Sequence, residues 1–249
     1  MWGSIEGLFR SILIFIFTAI ATPIAVVYGI LLRKQQIHYI QGWAKICCWM
    51  MGIRIHTKGL ENLPKDGGAL FLFNHLSLFD IPVVHAVIPT EFRFGAKSEL
   101  FRIPVFGYMM HVFGILPITR KDQKRVAKLY EKSIARFKAG ESFILAPEGG
   151  RNPEPNIGKF KSGPFIFAIQ AQVPVVPIVI YGFDKIFPKH RFWADLTNRD
   201  IFVSVLPAIS TDGIDSENRH DFKERVRNEF VKEYAGLQNS KKTLGPHSS

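Results

Sequence analysis

The chain has little of what builds a disulfide framework or a zinc site. Its 249 residues hold only two cysteines, Cys47 and Cys48. They are sequence neighbours inside an apolar stretch, poorly placed for an ordinary intrachain bridge, so a disulfide scaffold is excluded and both read as buried thiols. The eight histidines are scattered and none shares zinc spacing with cysteine, so no metal is expected. Acidic residues are scarce as well: 21 Asp and Glu stand against 32 Lys and Arg, a formal charge of +11. That excess predicts attraction to an anionic partner, whether nucleic acid, a phospholipid surface or a phosphorylated substrate. An RNA-binding aromatic signature, a helix-turn-helix and a zinc finger are all missing, which sets nucleic acid aside. Neither an internal repeat nor a low-complexity block is present, and the length calls for one catalytic domain.

Charge is absent from residues 11–32, which Arg10 precedes and Arg33 and Lys34 follow. An uncharged run of this length is enough to cross a bilayer, and it is too long and too basic at its end for a cleaved secretory signal. Pro23 predicts a kink or interruption of the helix, and a second apolar segment over residues 43–53 follows a short polar link. The expectation is an N-terminal two-helix membrane anchor over residues 1–52, either spanning or folded as a hairpin in one leaflet. Both flanks are basic, so the positive-inside rule gives no orientation.

Beyond the anchor, short runs rich in β-branched and aromatic residues alternate with amphipathic stretches. This is α/β texture, and it predicts a single domain over residues 53–238 with a mixed central sheet flanked by helices. Strands are expected at residues 53–57, 69–73, 92–96, 142–146, 175–181 and 201–206. Helical spacing of Val126, Leu129, Tyr130, Ile134 and Phe137 predicts a helix over residues 122–138, with Gly140 as its stop signal. Phe222, Val226, Phe230 and Tyr234, four apart, predict a closing helix over residues 219–234, and residues 239–249 read as a flexible tail.

Two clusters can carry chemistry. The apolar strand at residues 69–73 ends in Asn74-His75-Leu76-Ser77-Leu78-Phe79-Asp80, and strand ends are where α/β folds place reacting groups. Residues five apart in a regular helix sit about 140° apart around its axis, so His75 and Asp80 pair only across a strand-to-helix turn. In that geometry Asp80 accepts a hydrogen bond from one imidazole nitrogen, and the other is free to take a proton from a substrate hydroxyl. The same residues also fit a capped helix start with His75 on the surface. Ser77 is the nearest serine, but no Gly-x-Ser-x-Gly elbow surrounds it. The second cluster, Glu148-Gly149-Gly150-Arg151, follows another strand: paired glycines admit close backbone approach, and Arg151 offers a planar fork for phosphate oxygens. Glu148 is placed either to hold that arginine or to bind a substrate hydroxyl. Lys97 and Arg120 each end an apolar run in the same manner, so cations from several strand ends would form an anion rim. Lys161 reads as a solvated lysine.

Taken in order, these segments resemble the glycerophospholipid acyltransferase family over roughly residues 53–206. His75 through Asp80 matches that family's His-x4-Asp motif. Gly114 through Arg120 is similar to its second block, and Glu148-Gly149-Gly150-Arg151 to its Glu-Gly-Thr-Arg block. Val173-Pro174-Val175-Val176-Pro177 is similar to its fourth, proline-containing block. The resemblance implies a general base, His75, supported by Asp80, and a donor that is acyl-CoA or acyl-carrier protein. It further implies a lysophosphatidic acid acceptor bound near Lys97, Arg120, Glu148, Gly149, Gly150 and Arg151, a membrane lipid bilayer as partner, no cofactor, and a catalytic domain facing the cytoplasm, where thioester donors are found. Gly150 departs from the family, which usually has threonine there, and this opens the acceptor head group to others than lysophosphatidic acid. Two further readings of the residues stand beside it: a lipid hydrolase, in which the same base activates water, and a non-enzymatic basic protein that binds anionic lipid.

Overall fold

The computed structural model describes residues 2–119, 122–183, 186–215 and 217–243. Seven strands form one sheet: β1 (Arg54–Lys58), β2 (Leu70–Phe73), β3 (Phe92–Lys97), β4 (Leu116–Ile118), β5 (Ser142–Leu145), β6 (Val175–Tyr181) and β7 (Asp200–Val205), in the spatial order β1-β7-β6-β2-β5-β3-β4. Strands β6, β2, β5, β3 and β4 run parallel, β7 is antiparallel to β6, and β1 lies parallel to β7. The sheet is therefore mixed, as its sequence texture predicts. Its centre is dry: every residue of β2 and β5 is buried, and Phe71 sits opposite Ile144 on one side and Val176 on the other. Continuous apolar runs of this kind are what a strand covered on both faces requires.

The helices are α1 (Trp2–Leu31), α2 (Gln36–Met51), α3 (Asp80–Val87), α4 (Phe106–Val112), α5 (Gln123–Lys138), α6 (Gly163–Ala171) and α7 (Arg219–Thr243). From β2 the chain passes through α3 to β3, stepping over β5. From β5 it passes through α6 to β6, stepping over β2 in the opposite direction. Right-handed crossovers in opposite directions put α3 and α6 on opposite faces of the sheet. α2 packs on α3, and α5 and α7 pack on α6, so each face is covered. Asp122 caps α5 by accepting from Arg125 N at 2.9 Å, and Tyr130 stacks on Phe167 of α6 with ring centroids 4.1 Å apart. α7 buries Phe222, Val226, Phe230 and Tyr234, as their spacing predicts, and continues to Thr243, past the expected start of the tail at residue 239.

α1 is one continuous helix with Pro23 inside it, so the expected interruption does not occur. Its inward stripe is small: Gly7, Ser11, Ile14, Ala21, Ala25 and Gly29 are buried. Its outward face carries Phe9, Ile12, Phe15, Ile16, Ile20, Ile24 and Leu31, all exposed. The helix is fastened along its length. A Cβ on Gly7 would overlap the Ala194 carbonyl, Trp43 donates to Thr18 Oγ1 at 3.2 Å, Tyr39 donates to Ala21 O at 2.6 Å, and Gln36 donates to Gly29 O at 3.0 Å. Among the described residues α1 is the helix long and apolar enough to cross a membrane. α2 instead turns Cys47, Cys48 and Met51 into the domain core, leaving Ile46 and Trp49 exposed on its other side.

Candidate active site

β2 and β5 are neighbours whose connections leave in opposite directions, and a crevice opens outside the carboxyl ends of such a pair. The loop after β2 forms one wall. Its first residue, Asn74, is fully buried and bridges to β6, donating to Ile180 O at 2.8 Å and accepting from Ile180 N at 2.7 Å. This pins the end of β2 before the chain turns. Asp80 opens α3, and its Oδ2 gathers three donors: Leu76 N, Ser77 N and His75 Nδ1, each at 2.9 Å. Asp80 Oδ1 is buried without a hydrogen-bond partner among the described residues. A carboxylate can only accept, so the proton between the two side chains sits on Nδ1 and leaves the Nε2 lone pair free. The His75 side chain is 17% exposed and that of Asp80 0%. The imidazole therefore reaches the crevice from a carboxylate sealed beneath it.

The loop after β5 forms the other wall and is tied to His75 itself. Glu148 Oε1 accepts from His75 N at 3.2 Å, Glu148 Oε2 accepts from Gly158 N at 3.0 Å, and Asn152 N donates to His75 O at 2.7 Å. The His75 peptide is thus held on both sides by the Glu148–Asn152 segment. Burial pushes the Glu148 carboxyl up from the usual range, and the two backbone donors oppose that shift. Gly149 has φ +76°, a left-handed conformation that favours glycine, and Gly150 has φ 158°, at the edge of the extended region. Arg151 donates to Pro188 O at 3.4 Å. Burial lowers its pKa, and the charge of Asp80 partly offsets this.

The structure thus brings together His75, Asp80, Glu148 and the Gly149-Gly150-Arg151 turn. Glu148 makes no ion pair with Arg151 and instead serves two backbone donors. Lys97 ends β3 on the same edge of the sheet and is exposed, with no hydrogen bond or ion pair to these residues among the described ones. Arg120 lies outside the described residues, two positions past the end of β4. Lys161 is exposed. Ser77 is buried with its hydroxyl committed, donating to Ile186 O at 2.5 Å and accepting from Phe79 N at 2.9 Å, and so is not presented as a nucleophile. Asn74 and Asn152 act on the His75 loop through backbone partners more than 70 residues away, a role that local spacing does not signal.

Residues 54–181, from β1 to the end of β6, match the family model described as Acyltransferase. The chain is 34% identical over 158 residues to the chloroplastic 1-acyl-sn-glycerol-3-phosphate acyltransferase of Arabidopsis thaliana, covering 63% of this chain and 44% of that one. It is 26% identical over 188 residues to the 1-acyl-sn-glycerol-3-phosphate acyltransferase of Borreliella burgdorferi, covering 76% and 74%. The chain spans about half the length of the plant relatives it matches. The crystal structure of a 1-acyl-sn-glycerophosphate acyltransferase from Thermotoga maritima superposes with a TM-score of 0.80 at 23% identity, covering 95% of this chain and 98% of that one, which shows the shared fold. With the matched segment taking in more than half of the sequence and both walls of the crevice, the chain belongs to the acyltransferase family.

Proposed function

We propose that this chain transfers a fatty acyl group from acyl-CoA or acyl-carrier protein to the free hydroxyl of lysophosphatidic acid, giving phosphatidic acid. The observation that carries the reading is the His75 Nδ1 to Asp80 Oδ2 contact of 2.9 Å at the mouth of the β2/β5 crevice. The relatives named above as 1-acyl-sn-glycerol-3-phosphate acyltransferases support the choice of acceptor. In this mechanism the acceptor hydroxyl donates to His75 Nε2. As its oxygen attacks the thioester carbonyl, the proton moves to Nε2, and Asp80 stabilises the imidazolium that forms. Collapse of the tetrahedral intermediate breaks the C–S bond, and the departing thiolate takes the proton from Nε2. No cofactor and no enzyme nucleophile takes part. Glu148 is a positioning residue that holds the His75 peptide. Arg151 and Arg120 bind the acceptor phosphate, supported by Lys97, because guanidinium forks suit a phosphomonoester.

The substrates are amphiphiles, and α1 supplies the contact with their bilayer. A helix of 30 residues is about 45 Å long. Its fastening from Gly7 to Gly29 favours a helix lying along one leaflet with its large aliphatic face in the acyl region. In this reading the exposed Ile46 and Trp49 of α2 offer a second apolar surface to the bilayer, giving a two-helix membrane element at the cell membrane with the catalytic edge toward cytoplasmic thioesters. Gly150 favours one variation on the acceptor: without the threonine side chain usual in the family, the crevice has room for a larger head group, such as that of lysophosphatidylethanolamine. The test is to supply acyl-CoA with and without lysolipids and follow free CoA. Release that depends on lysophosphatidic acid is expected, and equal release without any lysolipid would identify a hydrolase instead.

A further inference from the structure

The segment after β6 links the catalytic edge to α1. At its start Ile186 O accepts from Ser77 Oγ, Pro188 O accepts from Arg151, and the Phe187 ring stacks on Phe79 with centroids 5.7 Å apart while meeting the edge of Phe15 on α1 at 5.9 Å. At its end Ala194 N donates to Ser11 Oγ at 3.1 Å and Leu196 N donates to Gly3 O at 3.2 Å. Between these anchors runs Lys189-His190-Arg191-Phe192-Trp193. Phe192 is 70% exposed, Trp193 is 39% exposed, and the Arg191 guanidinium lies over the Trp193 ring at 5.4 Å. Lys189 and His190 are exposed beside them. Two neighbouring aromatic residues left in water are unfavourable for a soluble surface, and here they directly precede Ala194, whose N–H is bonded to Ser11 of α1. Aromatic rings flanked by cations match the headgroup layer of an anionic bilayer, where the ring is half apolar and the cation meets phosphate.

We propose that residues 189–193 form a second membrane-contacting element, in which Phe192 and Trp193 enter the interfacial layer of the leaflet that holds α1 while Lys189 and Arg191 bind its anionic headgroups. The backbone turn Arg191 N to Pro188 O, 3.1 Å, and the clamps on Ala194 and Leu196 hold the loop tip in place before any lipid arrives. The tip then sits between the leaflet and the crevice, on the side a lipid acceptor approaches.

The inference rests on the membrane reading of α1, and its test separates the two. In the full chain, Trp2, Trp43 and Trp49 are replaced by Phe so that Trp193 is the sole tryptophan, and its fluorescence is followed on titration with vesicles of phosphatidylglycerol and phosphatidylcholine, with and without brominated acyl chains. A blue shift and quenching by the brominated lipid are expected. Co-sedimentation of Phe192→Ser/Trp193→Ser should fall about tenfold, and Lys189→Ala/Arg191→Ala should lose several-fold on anionic vesicles only. Vesicle binding with a silent Trp193 would overturn this proposal and leave α1 as the anchor. No vesicle binding by the wild-type chain would overturn both. Neither readout uses turnover, so acyl transfer stands or falls separately.

Discussion

At the scale of single residues, the site is a carboxylate oxygen with three donors. Asp80 Oδ2 takes two backbone N–H groups and the His75 ring, so the ring is oriented before a substrate arrives. Removing the base should lower the turnover of His75→Ala by about two to four decades. Asp80→Asn should also be severe, because a neutral amide stabilises the imidazolium less and permits the other tautomer. Glu148→Gln places an amide among two backbone N–H groups that need acceptors. It is expected to lower kcat by about tenfold with little change in acceptor KM, whereas a residue that binds the acceptor hydroxyl would raise KM. Arg151→Ala should do the reverse, raising acceptor KM by about one to two decades, since a charge-assisted hydrogen bond contributes about 1.5 to 3 kcal/mol. The pairing of His75 with Asp80 was readable from sequence because one turn contains both. The bond from Glu148 to the His75 backbone was not, because it joins loops that only the β2/β5 adjacency brings together.

At the scale of elements, six of the seven strands announce themselves as β-branched or aromatic runs. β4 does not, since its three residues include Pro117 and pair only with β3 at the sheet edge, where proline is tolerated. The continuity of α1 through Pro23 is a tertiary effect: contacts to Ala194, Trp43 and Gln36 hold the helix on both sides of the proline. Gly7→Leu should therefore detach the N-terminal half of α1 and lower the melting temperature. The opposite edge of the sheet depends on charge. Asp200 bonds Arg54 at 2.8 and 2.7 Å and His56 at 2.9 Å across the β1/β7 pair, and Arg54 first, then His56, hold its carboxyl down at about 2. A depressed carboxylate pKa stabilises the fold above its unfolded value of about 4 and loses that contribution as pH falls toward 2. Asp200→Asn should accordingly be less stable than wild type at neutral pH, by about 1 kcal/mol or less at so exposed a pair. Denaturant melts should show the two proteins converging as pH drops from about 4 to 2.

For the whole molecule, the excess of positive charge and the exposed apolar face of α1 are the two features on which the proposed attachment to an anionic bilayer rests. The uncharged segment was legible as a long apolar helix from length and composition alone. That α2 is half core helix was not, because Cys47, Cys48 and Met51 are as apolar as a lipid-facing residue would be and only packing reveals their side. Removal of residues 1–52 should thus leave an insoluble domain with an open core, while a protein lacking only the exposed apolar side chains of α1 should stay folded and lose vesicle binding. The central claim is that His75 activates the acceptor hydroxyl. It is tested most directly by measuring formation of phosphatidic acid from acyl-CoA and lysophosphatidic acid by His75→Ala, in protein with an unchanged circular dichroism spectrum. The account predicts a loss of about two to four decades relative to wild type. Near wild-type turnover in that folded variant would contradict it.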